Sequence, residues 1–61
     1  MKQELFHRDG SLRAVIVHSG SRTEIYSPQG QLLGVYNPQT DETYDAYGYF
    51  VGRGNLLTTL I

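Results

Sequence analysis

Apolar and aromatic residues along this 61-residue chain fall in short runs separated by glycine, proline, asparagine, aspartate and serine. Runs of this length are typical of strands, the separating residues favour turns, and no stretch keeps the roughly 3.6-residue period of an amphipathic helix. The pattern predicts an all-β fold, an antiparallel meander of about six short strands. The predicted strands are residues 3–7, 12–18, 23–26, 31–36, 42–45 and 49–52.

One phrase occurs three times: an aromatic residue, three residues, a glycine, one residue, a large apolar residue, one residue, then alanine or glycine. Its aromatic positions are Phe6, Tyr26 and Tyr44, separated by 20 and 18 residues. Its turn glycines and small residues are Gly10, Gly30, Gly48, Ala14, Gly34 and Gly52. A period near 20 is typical of small stacked units that bury their apolar faces against each other. We therefore predict one domain, residues 1–61, built from three imperfect hairpin repeats, with the recurring residues in the core or an interface.

Each repeat is expected to turn at its glycine. Asp9-Gly10 separates two apolar runs, Ser27-Pro28-Gln29-Gly30 fits a four-residue turn, and Tyr47-Gly48 supplies the third. Glycine takes the positive φ that such turns require. The small residue four places further on predicts a close approach of backbones or rings. The apolar tail, residues 56–61, is expected to dock as a last strand or a short helical turn.

The return strands carry apolar residues at adjacent positions. Simple alternation places Leu12, Ala14 and Ile16 on one face and Arg13, Val15 and Val17 on the other. An antiparallel sheet with a solvated face should instead alternate between polar and apolar residues. The second face is therefore expected to meet another layer, and a symmetric copy is the economical source. We predict a homo-oligomer, with a cyclic or dihedral tetramer ahead of a dimer.

Chain length, cysteine content and net charge indicate which kinds of partner to expect. A chain of this length buries only about 60% of the surface its unfolded form exposes. It contains no cysteine, which removes disulfides and thiolate metal ligands and favours a reducing cytoplasm. Five Lys and Arg against six Asp and Glu lack the cationic field of a nucleic-acid or anionic-membrane binder. No apolar run approaches the roughly 18 residues of a membrane span. Neither a nucleic acid nor a membrane is therefore expected as a partner.

No catalytic, cofactor or metal site is predicted. The only two imidazoles, His7 and His18, are unclustered, whereas zinc needs about three or four ligands. Asp9 is better explained as the turn residue before Gly10 than as a partner of His7. The acidic pair Asp41-Glu42 lies in a polar loop, which is typical of a solvated connection rather than of a catalytic pair. The segment 52–55 lacks the remainder of a phosphate-loop motif, and no serine has a nucleophile-elbow context.

Some aromatic residues stand outside the repeat register. They are Tyr36, Tyr47 and Tyr49, and together with Arg53 they form the predicted ligand-contact set. The aromatic residues that recur in register are better explained as core or interface residues.

The three phrases, with returns through 14–16, 33–36 and 51–52, resemble those of the small bacterial four-fold β-flower proteins over nearly the whole chain. The resemblance implies a β-meander subunit that assembles about a symmetry axis, with no catalytic residues to carry over. The stretch 43–48 also resembles the Tyr-Asp repeats of secreted toxin shells, although it occurs once. The hairpin period is similar to that of choline-binding cell-wall repeats, which depend on tryptophans that this chain lacks.

Two functional hypotheses follow. The first, favoured, is a non-enzymatic self-assembling module that binds a protein or small ligand near a symmetry axis or between subunits. The second is a minimal enzyme with a site shared between subunits, built from His7, His18 and nearby carboxylates.

Overall fold

A computed structural model describes all 61 residues of the chain and confirms the all-β meander. Its six strands form one antiparallel sheet in which every strand pairs with the next along the chain. The strands are β1 (Lys2–Phe6), β2 (Leu12–Ser19), β3 (Arg22–Tyr26), β4 (Leu32–Asn37), β5 (Glu42–Asp45) and β6 (Phe50–Arg53). The apolar tail forms a short 3-10 helix, η1 (Leu57–Leu60), which is the second of the two forms expected for it. No helix of the structure has the length and apolar character needed to cross a membrane.

The three hairpin turns are built alike. In the first, the N–H of Gly10 donates to the carbonyl of His7 at 3.0 Å, and the N–H of His7 donates to the carbonyl of Ser11 at 2.8 Å. The same pair of bonds closes the turns at 27–31 and 45–49. The three turn glycines have φ of 93°, 88° and 89°, a conformation that side chains disfavour. The repeated glycine is therefore a backbone requirement of the turn.

Each hairpin also contains one extra residue on its return strand. In the first hairpin Leu5 pairs with Ala14 while Phe6 pairs with Leu12, so Arg13 forms a β-bulge. The second and third hairpins have the same shift beside Gly34 and Gly52. Adjacent residues of β1 point to opposite faces, so their partners Leu12 and Ala14 also do. Simple alternation had placed these two residues on one face, and the bulge is the reason that it was wrong.

The two faces of the sheet are unequal. One face bears Ala14, Ile25, Gly34 and Thr43 and is covered by η1; we call it the tail face. The opposite face bears the three repeated aromatic residues and is called the open face. All six buried residues lie on the tail face or in η1: Ala14, Thr23, Ile25, Gly34, Thr43 and Leu57. The chain thus has a small interior on one side of the sheet only.

The small residues of the return strands make room for the tail. A Cβ at Gly34 would clash with the side chain of Leu60 and lie 2.8 Å from the carbonyl oxygen of Tyr44. A Cβ at Gly52 would lie 2.6 Å from Cδ1 of Leu56. A close approach therefore exists at both glycines, but it is made mainly by leucine side chains of the C-terminal segment rather than by the backbones or rings that the sequence led us to expect.

A buried threonine fixes the start of the tail. The hydroxyl of Thr43 donates to the carbonyl of Gly54 at 2.6 Å and accepts from the N–H of Leu56 at 3.0 Å. Its position in the third repeat corresponds to that of Leu5 and Ile25 in the first two. A hydroxyl replaces an aliphatic group here because two backbone polar groups of the tail would otherwise lose a partner.

We expect Gly34→Val to destabilise the fold, because the added atoms collide with the Tyr44 backbone as well as with Leu60. Overpacking of this kind costs about 2 kcal/mol, which corresponds to a fall in the melting temperature of roughly 10 °C in a domain of this size. Circular dichroism during thermal melting measures it, with Lys2→Val on exposed β1 as the matched valine control. Equal melting temperatures for the two variants would contradict the close packing of η1.

We expect Thr43→Val, which keeps the shape of the side chain and removes its hydroxyl, to loosen the tail. Two backbone groups lose their partner, a loss of about 1–3 kcal/mol. Hydrogen exchange should show faster exchange of the Leu56 amide than in the wild type. Thr58→Val, at an exposed position of η1, is the control and should leave that amide unchanged; an unaltered Leu56 rate in both variants would refute the role of the hydroxyl.

Candidate functional site

The predicted ligand-contact residues occupy different parts of the sheet. Tyr47 and Tyr49 lie together in the third hairpin turn and are 86% and 72% exposed. Tyr36 lies on the tail face at the other end of β4, where its hydroxyl donates to Oδ1 of Asp41 at 2.9 Å. Arg53 lies on the open face at the end of β6. The structure therefore brings Tyr47 and Tyr49 together. Tyr36 and Arg53 lie away from these two residues and on opposite faces of the sheet.

An open groove of about 490 Å³ lies between the second and third turns. Its lining residues are Gln31, Leu32, Leu33, Asp45, Ala46 and Tyr47. Oδ1 of Asp45 accepts the N–H groups of Tyr47 and Tyr49, both at 2.9 Å, and so holds the turn that carries the two tyrosines. The groove offers an apolar floor beside an exposed aromatic ring.

The two histidines are far apart within one chain. His7 begins the first turn, whereas His18 lies near the far end of the eight-residue strand β2. The Nδ1 atom of His18 is 3.2 Å from the hydroxyl oxygen of Thr23. Asp9, the acidic residue nearest to His7 in sequence, accepts hydrogen bonds from the Ser11 N–H and hydroxyl at 2.9 and 2.7 Å, and these bonds lower the pKa of its carboxyl. The chain contains no cluster of three or more potential metal ligands.

The open face carries a continuous apolar stripe that crosses all six strands and that we call the open-face stripe. Its members, placed by the strand register, are Phe6, Leu12, Val15, Val17, Tyr26, Leu32, Val35, Tyr44 and Phe50. None of them is buried, and the two end residues, Phe6 and Phe50, are each 55% exposed. The rings of Tyr44 and Phe50 meet edge to face, with centroids 5.8 Å apart. Nothing in this chain covers the stripe.

Three acidic residues lie on the open face, and two of them are paired there: Glu24 among the stripe residues and Glu42 at the border of the stripe. The hydroxyl of Tyr26 donates to Glu24 at 3.2 Å, and the hydroxyl of Tyr44 donates to Glu42 at 3.0 Å. Glu24 also forms an ion pair with Arg22, with 3.0 Å between Nη2 and Oε2, and its side chain is only 13% exposed. Glu24 and Glu42 therefore already have hydrogen-bond or ion-pair partners within the chain.

Sequence analysis did not recognise these glutamates. A signal for them exists, because a glutamate stands two residues before the aromatic residue in every repeat: Glu4 before Phe6, then Glu24 and Glu42. Residues two apart in a strand share a face, which places each glutamate beside its ring. In the first repeat the ring lacks a hydroxyl, so the pair cannot form.

These contacts raise the pKa of three tyrosines. Partial burial is the main cause at Tyr26, followed by its hydrogen bond to Glu24. The hydrogen bond to the neighbouring carboxylate is the main cause at Tyr44 and Tyr36. A raised pKa means that the fold favours the neutral phenol. This stabilisation is complete below the ordinary tyrosine pKa near 10 and is lost as pH rises through the higher folded value.

Comparisons with protein-family models, with curated proteins and with solved structures gave no match. The functional argument therefore depends on the geometry of this chain.

We expect Glu42→Gln to lower the pKa of Tyr44 toward the ordinary value, because an amide stabilises the neutral phenol less than a carboxylate does. A titration followed by NMR of the tyrosine ring carbons measures the shift at the single residue. Glu4→Gln is the matched control, since the equivalent ring in the first repeat is Phe6, and it should leave all tyrosine pKa values unchanged. Equal Tyr44 values in the wild type and Glu42→Gln would disprove the pairing.

Proposed function

We propose that this chain is a non-enzymatic, self-assembling β module that completes its interior with copies of itself. The observation that carries the proposal is the size of the core. Six of 61 residues are buried, and the only buried hydrophobic side chains are Ala14, Ile25 and Leu57. A folded domain must offset roughly 1.5 kcal/mol of conformational entropy per ordered residue. A core this small supports the proposal that contacts with other copies of the chain supply the remaining stability.

The preferred assembly is a tetramer, with a dimer second. The resemblance of the three repeats to β-flower subunits supports a tetramer arranged about a symmetry axis. Strands β1 and β6 are the free edges of the sheet, and free edges invite pairing with other chains unless they are covered or short. A closed assembly removes this hazard as well as the exposed apolar surface.

The proposed module binds a protein or a small ligand at its symmetry axis or between subunits. The groove beside the third turn supports this, because apolar surface with a few polar groups is typical of ligand sites. Tyr47 and Tyr49 are the proposed main contact residues, since both are exposed, Tyr47 lines the groove, and Tyr49 lies in the same turn. Tyr36 and Arg53, at the ends of their strands away from the third turn, contact the ligand only if it extends across subunits.

Native mass spectrometry of the purified protein tests the proposal, because it reports the mass of the assembly and of any small molecule that remains bound. We expect a discrete multiple of the 6.9 kDa chain, with the tetramer as the main species, that persists in light scattering at low micromolar concentration. The control is the double variant His7→Gln, His18→Gln, which should assemble as the wild type does because neither histidine is buried. A folded monomer in dilute solution would refute self-assembly.

A further inference from the structure

We infer that the open-face stripe is the contact surface of the assembly, and that its occupant is the same stripe of a second copy, packed face to face. This inference rests on the proposed function and adds to it the surface and the symmetry of the contact. The product is a two-chain β-sandwich: the open faces form its new core, and the tail of each chain covers the outer face of its own sheet.

The extent of the open face suits this role. The molecule measures 35 × 21 × 17 Å along its principal axes, so the rectangle that bounds its broad side, an upper limit on the projected area of the open face, is roughly 700 Å². A standard interface buries about 800 Å² on each partner. Two sheets packed in this way lie about 10 Å apart and interdigitate their side chains, as the inner layer of a single-chain sandwich does.

The arrangement of residues on the open face is that of an interface. The stripe is apolar and rich in aromatic rings, and a polar row borders it at the ends of the strands. This row consists of Arg22, Asn37, Glu42 and Arg53. An apolar centre with aromatic residues and a polar rim is the usual anatomy of a protein interface.

The charges of the open face favour an apolar occupant. A covered carboxylate is costly unless it is paired, and Glu24 already has both the Tyr26 hydroxyl and the Arg22 guanidinium. Glu42 has the hydroxyl of Tyr44. Covering the central strands of the face therefore needs no countercharge from the partner, and the other two charged residues on its first strand, Lys2 and Glu4, are exposed on edge strand β1. The surface most complementary to an apolar stripe is another apolar stripe, and a two-fold contact supplies the same stripe from the second chain.

The sheet edges are less suited to the contact. The return strands shorten from eight residues in β2 to six in β4 and four in β6. After β6 the chain leaves the sheet at Gly54, with φ of 88°, and crosses the tail face. Both edge strands are short, with five residues in β1 and four in β6, and short edge strands limit edge pairing. The open face is thus a larger contact surface than either edge of the sheet. If this two-fold contact is combined with a second contact between dimers, the tetramer is dihedral rather than cyclic.

The test compares two valines that differ in their position relative to the stripe. Val35 lies in the stripe near the centre of the sheet, whereas Val51 is the bulge residue of β6 and lies outside it. Sedimentation velocity over a concentration series measures the dissociation constant of each variant. We expect Val35→Lys to weaken self-association at least ~100-fold, because it buries an unpaired charge. Val51→Lys should stay within about threefold of the wild type, the change expected of a surface residue.

A second variant guards against loss of folding in Val35→Lys. Phe6 is 55% exposed in the free chain, so Phe6→Ser should leave the circular dichroism spectrum of the monomer unchanged. It should still weaken association about tenfold, because an aromatic anchor is lost from the contact.

The outcomes separate the two proposals. Weakening by Val35→Lys and Phe6→Ser, with no effect of Val51→Lys, supports the stripe as the contact. Folded stripe variants that assemble as tightly as the wild type overturn this inference and leave self-assembly standing. A wild type that is monomeric and folded, or that buries the stripe only against a different co-purified molecule, overturns both.

Discussion

The structure depends on the close approach of the C-terminal segment to the glycines of the return strands. A single sheet has two faces, and a chain of this length has few residues to cover either. The tail covers one of them because Gly34 and Gly52 leave room for leucine side chains directly above the backbone. The hydroxyl of Thr43 holds the start of the tail in place. The buried hydrophobic cluster depends on this contact, since Leu57 of η1 packs there with Ala14 and Ile25.

The same contact makes the two faces different. The tail covers one face and no element of the structure packs on the other, so the open-face stripe lies at the surface. Its glutamates are paired with tyrosine hydroxyls and with Arg22, which lets the surface be apolar in effect although it contains charged residues. The proposed self-assembly and the proposed face-to-face contact both derive from this asymmetry. They differ in that the first needs only a small core, whereas the second needs this face to be the surface that is covered.

The repeats show how equivalent positions take on different tasks. The turn glycines have the same φ and the same hydrogen bonds in all three hairpins, because a turn is a local structure. The position of Leu5, Ile25 and Thr43 is not uniform, because only the third repeat meets the start of the tail. The glutamates are present in each repeat, yet only two of the three find a hydroxyl.

The sequence by itself determined the all-β class, the six-stranded meander and the turns at Gly10, Gly30 and Gly48. These features depend on local backbone preferences and on short apolar runs, which neighbouring residues encode. The sequence also indicated Gly34 and Gly52 as sites of close approach, but it did not indicate which group approaches these glycines.

Only the tertiary structure decided which face is covered. The bulges move Leu12 to the face opposite Ala14, and they are visible only in the pairing of one strand with another. The tail forms a 3-10 helix rather than a strand because its leucines pack across β4, about 20 residues earlier in the chain. The separation of Tyr36 and Arg53 from the other two candidate residues likewise follows from the sheet topology. Contacts between residues distant in sequence depend on the whole arrangement of strands, and no local pattern specifies them.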